Sequence, residues 1–249
     1  MIHYHGGPVS GPLSIAIELW RSRHAMISFA HPGQIEIAAE MSQSFCLDNG
    51  AYSLWKSGIK PDWEQYADWL EEWGRHPGCD FALMPDVIDG TEKDNDDLVL
   101  WWLQKKRPCA GVPVWHLHES YDRLNKLSLL WPRIALGSSG NYAKIGTDAW
   151  WNRMGGAMRT ICDDQGRPRC RLHGLRMLNP TIFSHIPLAS ADSTNVARNV
   201  GLDMRWRGSY VPASQSVKAL ILADRIEKHA SAAKWSGLSG YRMNEELFG

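Results

Sequence analysis

The sequence lacks the features of an exported or membrane-bound protein. Its five cysteines, at positions 46, 79, 109, 162 and 170, form no closely spaced pairs, which argues against a disulfide framework or a zinc ribbon and suits a reducing compartment. The chain does not open with a basic segment followed by an apolar run, and no stretch approaches the roughly 18 apolar residues of a membrane span. We therefore expect a cytoplasmic protein with no membrane partner.

An overall excess of one charge is also lacking. The 27 lysines and arginines balance 27 aspartates and glutamates, which excludes a wholly basic nucleic-acid coat or an acidic solvating protein. The balance hides an asymmetry, because residues 1–152 carry 13 basic and 19 acidic residues, whereas residues 153–234 carry 13 and 6. The portion 153–234 is therefore predicted to face a polyanion, with an ordinary solvated surface as the alternative. Arg198, Arg205 and Arg207 are the best candidates for contacts with a phosphate backbone.

The length and composition predict one folded domain. The 249 residues are 44% hydrophobic and 22% charged, and neither an internal repeat nor a linker divides them, so a single domain over 1–249 is expected. The 13 tryptophans fall mostly in amphipathic segments. This placement predicts that they pack helices onto a core rather than form a base-stacking platform.

Short apolar runs alternate with segments of helical spacing. Eight runs are candidate strands, at 2–5, 25–30, 44–47, 80–84, 112–117, 133–136, 171–175 and 188–191. Strands that alternate with helices pair in parallel, and at this length a (β/α)₈ TIM barrel is the simplest closed solution. An open doubly wound sheet is the alternative, disfavoured because no Gly-x-Gly-x-x-Gly follows an early strand.

Three aspartates end apolar runs and enter turns of small residues: Asp48, Asp86 and Asp192. In a barrel these strand ends converge on the catalytic face. Each aspartate alone is equally typical of a turn or a helix cap, but the set of three favours a site. Several carboxylates in one pocket suit chemistry at an acetal-like carbon, so an O- or N-glycosidic bond is the predicted target. Magnesium binding ranks lower, because the intervening segments show no repeated Asp-x-Asp ligand loop of the kind that a calcium site uses.

Histidines alternate on the first and fifth candidate strands. His3 and His5 lie on the first, and His116 and His118 on the fifth, so one of each pair can face the barrel mouth. A structural histidine is the other interpretation at each position.

The motifs at the strand ends occur in an order that resembles a known family. They are Leu47-Asp48-Asn49-Gly50-Ala51-Tyr52, Met84-Pro85-Asp86, Val114-Trp115-His116, Ala135-Leu136-Gly137-Ser138, His173-Gly174-Leu175-Arg176 and Ala191-Asp192-Ser193-Thr194-Asn195. Over about residues 3–200 this order resembles the tRNA-guanine transglycosylase superfamily, and within it the compact phage-type DNA 7-deazaguanine transglycosylases. The resemblance implies a (β/α)₈ fold and, for a phage protein, the host cytoplasm.

The resemblance implies that guanine in DNA is exchanged for a free 7-deazaguanine base such as 7-cyano-7-deazaguanine (preQ0). Asp192 then corresponds to the nucleophile that bonds to the sugar C1′, and Asp48 to the residue that transfers protons to and from the purine. Asp86 corresponds to the aspartate that contacts the polar edge of the base. The remaining candidates for substrate contacts are Asn49, His116, Gly137 and Ser138.

Two departures from the family pattern bear on the substrate. The tRNA enzymes carry a zinc set, Cys-x-Cys-x-x-Cys with a later histidine, after the nucleophile, but no cysteine follows Cys170 here. No cofactor is therefore expected, and a metal site at Cys162, Cys170 and His173 is a weak alternative because it lacks a Cys-x-x-Cys clip. The family's Gln-Gly pair is replaced by 115–118, Trp-His-Leu-His, which affects the choice of base.

Other functions stay open at this point. A tRNA-guanine transglycosylase is disfavoured by the missing zinc ligands. A nucleoside or glycoside hydrolase on the same barrel would release free sugar. A catalytically silent nucleic-acid-binding barrel would use the three aspartates only structurally.

Overall fold

The computed structural model describes residues 1–199 and 211–237. Its strands are β1 Ile2–Gly6, β2 His24–Ser28, β3 Ser44–Asp48, β4 Cys79–Leu83, β5 Gly111–Val112, β6 Val114–His116, β7 Arg133–Gly137, β8 Arg171–Gly174 and β9 Ser190–Ser193. Its helices are α1 Leu13–Trp20, α2 Ile35–Met41, α3 Ala51–Lys56, α4 Trp63–Trp73, α5 Glu92–Leu103, α6 Tyr121–Leu130, α7 Asp148–Ile161, α8 Pro180–Phe183, α9 Asn195–Asn199 and α10 Gln215–Glu227, with a 3₁₀ turn at Gly140–Tyr142.

Every strand pairing within the described residues is parallel. The nine strands follow one another around the sheet in the order β5-β4-β3-β2-β1-β9-β8-β7-β6. The two edge strands are separated by Pro113 alone, which has no amide hydrogen for a ladder bond. The Val112 carbonyl accepts from the amide of Met84, directly after β4, and the Pro113 carbonyl accepts from Ala135 of β7, so the chain itself joins the two edges. The predicted TIM-like barrel is confirmed, with its fifth strand divided in two.

Helix starts follow from side-chain caps next to apolar segments. Asp62 caps α4 by accepting from the amides of Glu64 and Gln65, and Thr91 and Asp94 form a capping box at α5. Ser120 and Thr147 cap α6 and α7 in the same manner. These caps fix where α4, α5, α6 and α7 begin.

Two apolar layers form the core. Alternate residues of the strands fill the barrel interior, among them Tyr4, Met26, Cys46, Leu83, Val114 and Ala135. The residues between them face the helices and pack against tryptophans, of which Trp20, Trp115, Trp150 and Trp151 are almost fully buried. The tryptophans that pack helices therefore behave as the sequence predicts.

Candidate active site

The carboxyl ends of the strands bring most of the predicted site residues to one mouth of the barrel. Asp48, His116 and Gly137 each lie two residues after an interior residue, namely Cys46, Val114 and Ala135, so strand alternation points them inward. Asp192 is the Cα partner of the interior residue Tyr4 across the β1–β9 pair. Asp86 follows β4 and contacts His116 directly.

Asp48 occupies the end of β3, where the chain turns sharply. The turn depends on Gly50, which has a φ of +75° and whose added Cβ would lie 2.7 Å from the backbone nitrogen of Ala30. Burial raises the pKa of Asp48 to about 7, and the charges of Asp192 and Asp86 act in the same direction. The Ser28 side chain and the Gly50 amide oppose that shift. Asp48 is thus able to give and to accept a proton near neutral pH.

Asp192 is held on one side only. Its Oδ1 accepts the amide N–H of Arg176 at 3.0 Å and lies 3.4 Å from Nε2 of His173. The side chain of His173 is fully buried, and its Nδ1 meets the hydroxyl of Ser190 at 2.8 Å. Both contacts orient Oδ1, and among the described residues Oδ2 has no hydrogen bond. Such a carboxylate is fixed in direction while one oxygen stays available for attack.

Asp86, His116 and Asn49 form a buried polar triad. His116 Nε2 lies 2.7 Å from Asp86 Oδ2, and Asn49 Nδ2 donates to Asp86 Oδ1 at 2.6 Å. Asn49 also donates to the carbonyl of Met84 and accepts from the amide of Ala51, so its position is fixed from three sides. His116 Nδ1 has no hydrogen-bond partner within the described part of the chain. The triad is therefore rigid and carries one buried nitrogen without a partner among the described residues.

A second, deeper network holds His116 in place. Glu119, whose side chain is fully buried, accepts from the His116 amide at 2.9 Å, from Arg123 Nη1 at 2.6 Å and from Asn95 Nδ2 at 2.8 Å. Asn95 in turn accepts the amide of Val87, directly after Asp86. Sequence reasoning missed these residues, although the i,i+4 spacing of Glu119 and Arg123 is a recognisable signal for a pair.

Gly137 and Ser138 close the far side of the mouth. A Cβ at Gly137 would lie 2.9 Å from Nδ1 of His116, so only glycine allows this approach. The Ser138 hydroxyl accepts from Trp150 Nε1 at 2.9 Å, and its carbonyl accepts from Arg176 Nη2 at 2.8 Å. Ser138 therefore links the mouth to the helix layer.

Arg176 and Tyr52 belong to the site although the sequence analysis gave them no role. Arg176 has a φ of +59°, unusual for a residue with a side chain. Its amide meets Asp192, and its guanidinium lies 4.3 Å from the centre of the Tyr52 ring. Strained residues that make specific contacts are typical of functional sites. The signal in the sequence was their place in the quoted motifs.

The histidine pairs differ in orientation. His3 and His5 turn outward: His3 packs on Phe183, and His5 meets Glu227 of α10 at 2.7 Å. On the fifth strand His116 faces the mouth, and His118 stacks on it while contacting Ser139. Only the second pair contributes to the site.

The basic residues of 153–234 do not form one surface. Arg153 and Arg176 lie near the mouth, but Arg169 and Arg171 lie at the amino end of β8, at the opposite end of the barrel. Arg198 is an exposed residue of α9, which follows Asp192. Arg205 and Arg207 lie outside the described residues, so their predicted phosphate contacts have no structural description.

The described residues hold no cluster of three or more histidine, cysteine or acidic side chains able to bind a metal ion. His173 lies inside the barrel next to Asp192, whereas Cys162 and Cys170 flank the loop before β8 and pack against the outer core. The weak alternative of a metal site at these three residues is therefore not assembled. Over the same described residues, no helix has the length and hydropathy needed to cross a membrane.

Comparison with protein-family models and with the sequences of curated proteins finds no match.

Proposed function

We propose that this protein is a DNA-guanine transglycosylase that replaces guanine by a free 7-deazaguanine base through a covalent aspartyl-glycosyl intermediate. One observation carries the proposal: a half-tethered carboxylate, Asp192, shares the barrel mouth with a second carboxylate, Asp48, whose pKa is about 7. A nucleophile paired with a proton-transfer group is what displacement at a glycosidic carbon requires.

The first step uses both aspartates. Asp192 Oδ2 attacks the sugar C1′, and the C1′–N9 bond breaks as the new C1′–O bond forms. Asp48 in its protonated form donates its proton to N7 of guanine, so the base leaves neutral. The Arg176 amide stays on Oδ1 throughout and stabilises the carboxylate before attack and the ester carbonyl after it.

The second step reverses the roles. The Asp48 carboxylate accepts the N9 proton of the incoming 7-deazaguanine, N9 attacks C1′, and Asp192 leaves as a carboxylate. The energy of the first glycosidic bond is stored in the ester, so no other energy source is needed, and two displacements retain the configuration at C1′. Because the new base has carbon at position 7, protonation cannot assist its departure.

Base recognition falls to the buried triad. The Asp86 carboxylate accepts from polar N–H groups of a purine edge, and His116 and Asn49 hold that carboxylate in place. Gly137 lies at the same level and leaves room for the His116 ring. Purine and 7-deazapurine share this edge, so one pocket serves both halves of the exchange.

The test is base exchange itself. The purified protein is incubated with guanine-containing DNA or with tRNA, each with 7-cyano-7-deazaguanine, and the digested nucleosides are analysed by mass spectrometry. Modified deoxynucleoside from wild type but not from Asp192→Asn supports the proposal. Modified tRNA alone would reassign the substrate, and release of guanine without incorporation would indicate a hydrolase.

A trapping experiment tests the intermediate separately. Without the incoming base, denatured wild-type protein is expected to carry covalently bound DNA, whereas Asp192→Asn is expected to carry none. Asp80→Asn, a matched substitution at the other end of the barrel, should trap DNA as wild type does. An adduct in Asp192→Asn would overturn the nucleophile assignment.

A further inference from the structure

The turn that follows Asp48 carries an exposed aromatic and basic segment at the rim of the mouth. We name residues 52–60, which span most of α3 and the loop after it, the rim segment. Tyr52 is 37% exposed, Trp55 46% and Ile59 55%, so three large apolar side chains face solvent here. Most tryptophans of this protein pack helices, which makes Trp55 an exception that calls for a reason.

The rings of Tyr52 and Trp55 form an aromatic pair next to the site. The centres of Tyr52 and Trp55 lie 5.9 Å apart with a tilt of 38° between the rings. The Arg176 guanidinium covers Tyr52, and the Arg176 amide binds Asp192. A continuous series of contacts therefore connects the proposed nucleophile with Arg176, Tyr52 and the exposed ring of Trp55.

The rim segment is also positively charged. Lys56 and Lys60 are exposed, and within the described residues neither makes an ion pair with a carboxylate. No acidic residue occurs from position 49 to position 61. Aromatic side chains interleaved with unpaired cations are the combination that binds unpaired nucleotides, because bases stack on the rings while lysines meet the phosphates.

We propose that the rim segment binds an unpaired stretch of DNA next to the target nucleotide, with one base stacked on Trp55 and the phosphates near Lys56 and Lys60. The proposal rests on the proposed function for the identity of the strand, and it makes single-stranded or locally opened DNA the substrate. A target that is already unpaired also avoids the cost of leaving a duplex stack.

The test separates this proposal from the chemistry by using DNA without guanine. Stacking tolerates any base, so a fluorescein-labelled oligothymidylate reports binding to the rim segment with no exchange possible. Its affinity is measured by fluorescence anisotropy over a series of salt concentrations. We expect tighter binding of the single strand than of the matching duplex.

Variants assign the effect to the rim segment. Trp55→Ala is expected to weaken binding about tenfold, and Trp55→Phe to restore most of the affinity because it keeps an aromatic face. Replacing both Lys56 and Lys60 by glutamine should lower the slope of log affinity against log salt by about 1.4. The matched control replaces Lys228 and Lys234, two exposed lysines that follow α10 at the amino end of the barrel, and should leave affinity and slope unchanged.

Each other outcome is decisive. Wild-type affinity in Trp55→Ala, an equal loss in the control pair, or a preference for duplex would overturn the proposal, and a preference for the ribose strand would assign RNA as the occupant instead. Base exchange that is unaffected by Trp55→Ala would contradict the role proposed for the rim segment and leave the proposed function intact. Binding that depends on Trp55 without any base exchange would support the rim segment as a binding site and contradict the proposed function.

Discussion

Both ends of the barrel interior hold aspartates, one at the amino end and three at the carboxyl end, and their surroundings differ. At the amino end Asp80 accepts from the Tyr4 hydroxyl at 2.5 Å and from Arg133 Nη1 at 3.0 Å. At the carboxyl end none of Asp48, Asp86 and Asp192 pairs with a lysine or arginine among the described residues. A compensated carboxylate is a fixed part of the structure, whereas at the uncompensated end burial and the charges of Asp192 and Asp86 raise the pKa of Asp48.

The largest expected effect at the carboxyl end comes from Asp192→Asn. The amide keeps the shape of the side chain and can still accept from Arg176, but it cannot form the ester, so base exchange should fall on the order of 10⁴-fold. Single-turnover rates by rapid quench measure the loss. Asp80→Asn is the matched control, and a similar loss in both variants would remove the distinction between the two ends.

Asp48→Asn is expected to have the next largest effect, on rate and on pH dependence together. Loss of proton transfer should slow exchange by about 10²- to 10⁴-fold. The proposed mechanism has protonated Asp48 assist the release of guanine, so the rate of adduct formation in wild type should fall as pH rises through about 7. The variant should lose this inflection. An inflection that persists in Asp48→Asn would assign the titrating group elsewhere.

Asp86→Asn should act on the choice of base rather than on the chemistry. An amide in place of the carboxylate presents one N–H group towards the base and weakens the contact with His116. We expect the concentration of 7-deazaguanine needed for half-maximal exchange to rise about 10- to 100-fold, with a smaller change in the maximal rate. Competition between guanine and 7-cyano-7-deazaguanine measures the selectivity. Equal loss for every base tested would indicate a structural role for Asp86.

The sequence predicted some features of the fold and the site and missed others. The apolar runs and the aspartates that follow them were sufficient to predict the barrel and the meeting of Asp48, Asp86 and Asp192 at one mouth, because strand period and parallel pairing determine both. The division of the fifth strand was visible only as Pro113. The signals for Glu119 and Arg176 did not reveal their partners, because the contact of Glu119 with Asn95 joins distant segments and that of Arg176 with Asp192 also depends on one backbone torsion.

The distribution of charge was harder to predict than the fold. Net charge along the chain pointed to one basic surface over 153–234, but strand direction sends Arg171 to one end of the barrel and Arg176 to the other. Five residues along a strand span its full length, so proximity in sequence does not imply one surface in a barrel.

The smallest expected effects concern stability, and here the same substitution at the two ends should have opposite signs. Asp80→Asn leaves the Arg133 guanidinium, which is 12% exposed, without a charged partner, so the free energy of unfolding should fall by about 1 to 3 kcal/mol. Asp48 has a pKa of about 7 against an ordinary value of 3.8, so its charging destabilises the folded protein progressively as pH rises from about 4 to about 7.

The side chain at position 48 cannot become charged in Asp48→Asn. At pH 8 the free energy of unfolding of this variant should therefore exceed that of wild type by about 2 to 4 kcal/mol, and the difference should vanish near pH 4. Urea denaturation of both variants at pH 5 and pH 8 measures the pair of effects. A loss of stability in Asp48→Asn at pH 8 would mean that its carboxylate is compensated after all. Opposite signs would show that the folded chain tolerates an unfavourable charge at the mouth, as expected where a carboxylate is retained for its chemistry rather than for its contribution to folding.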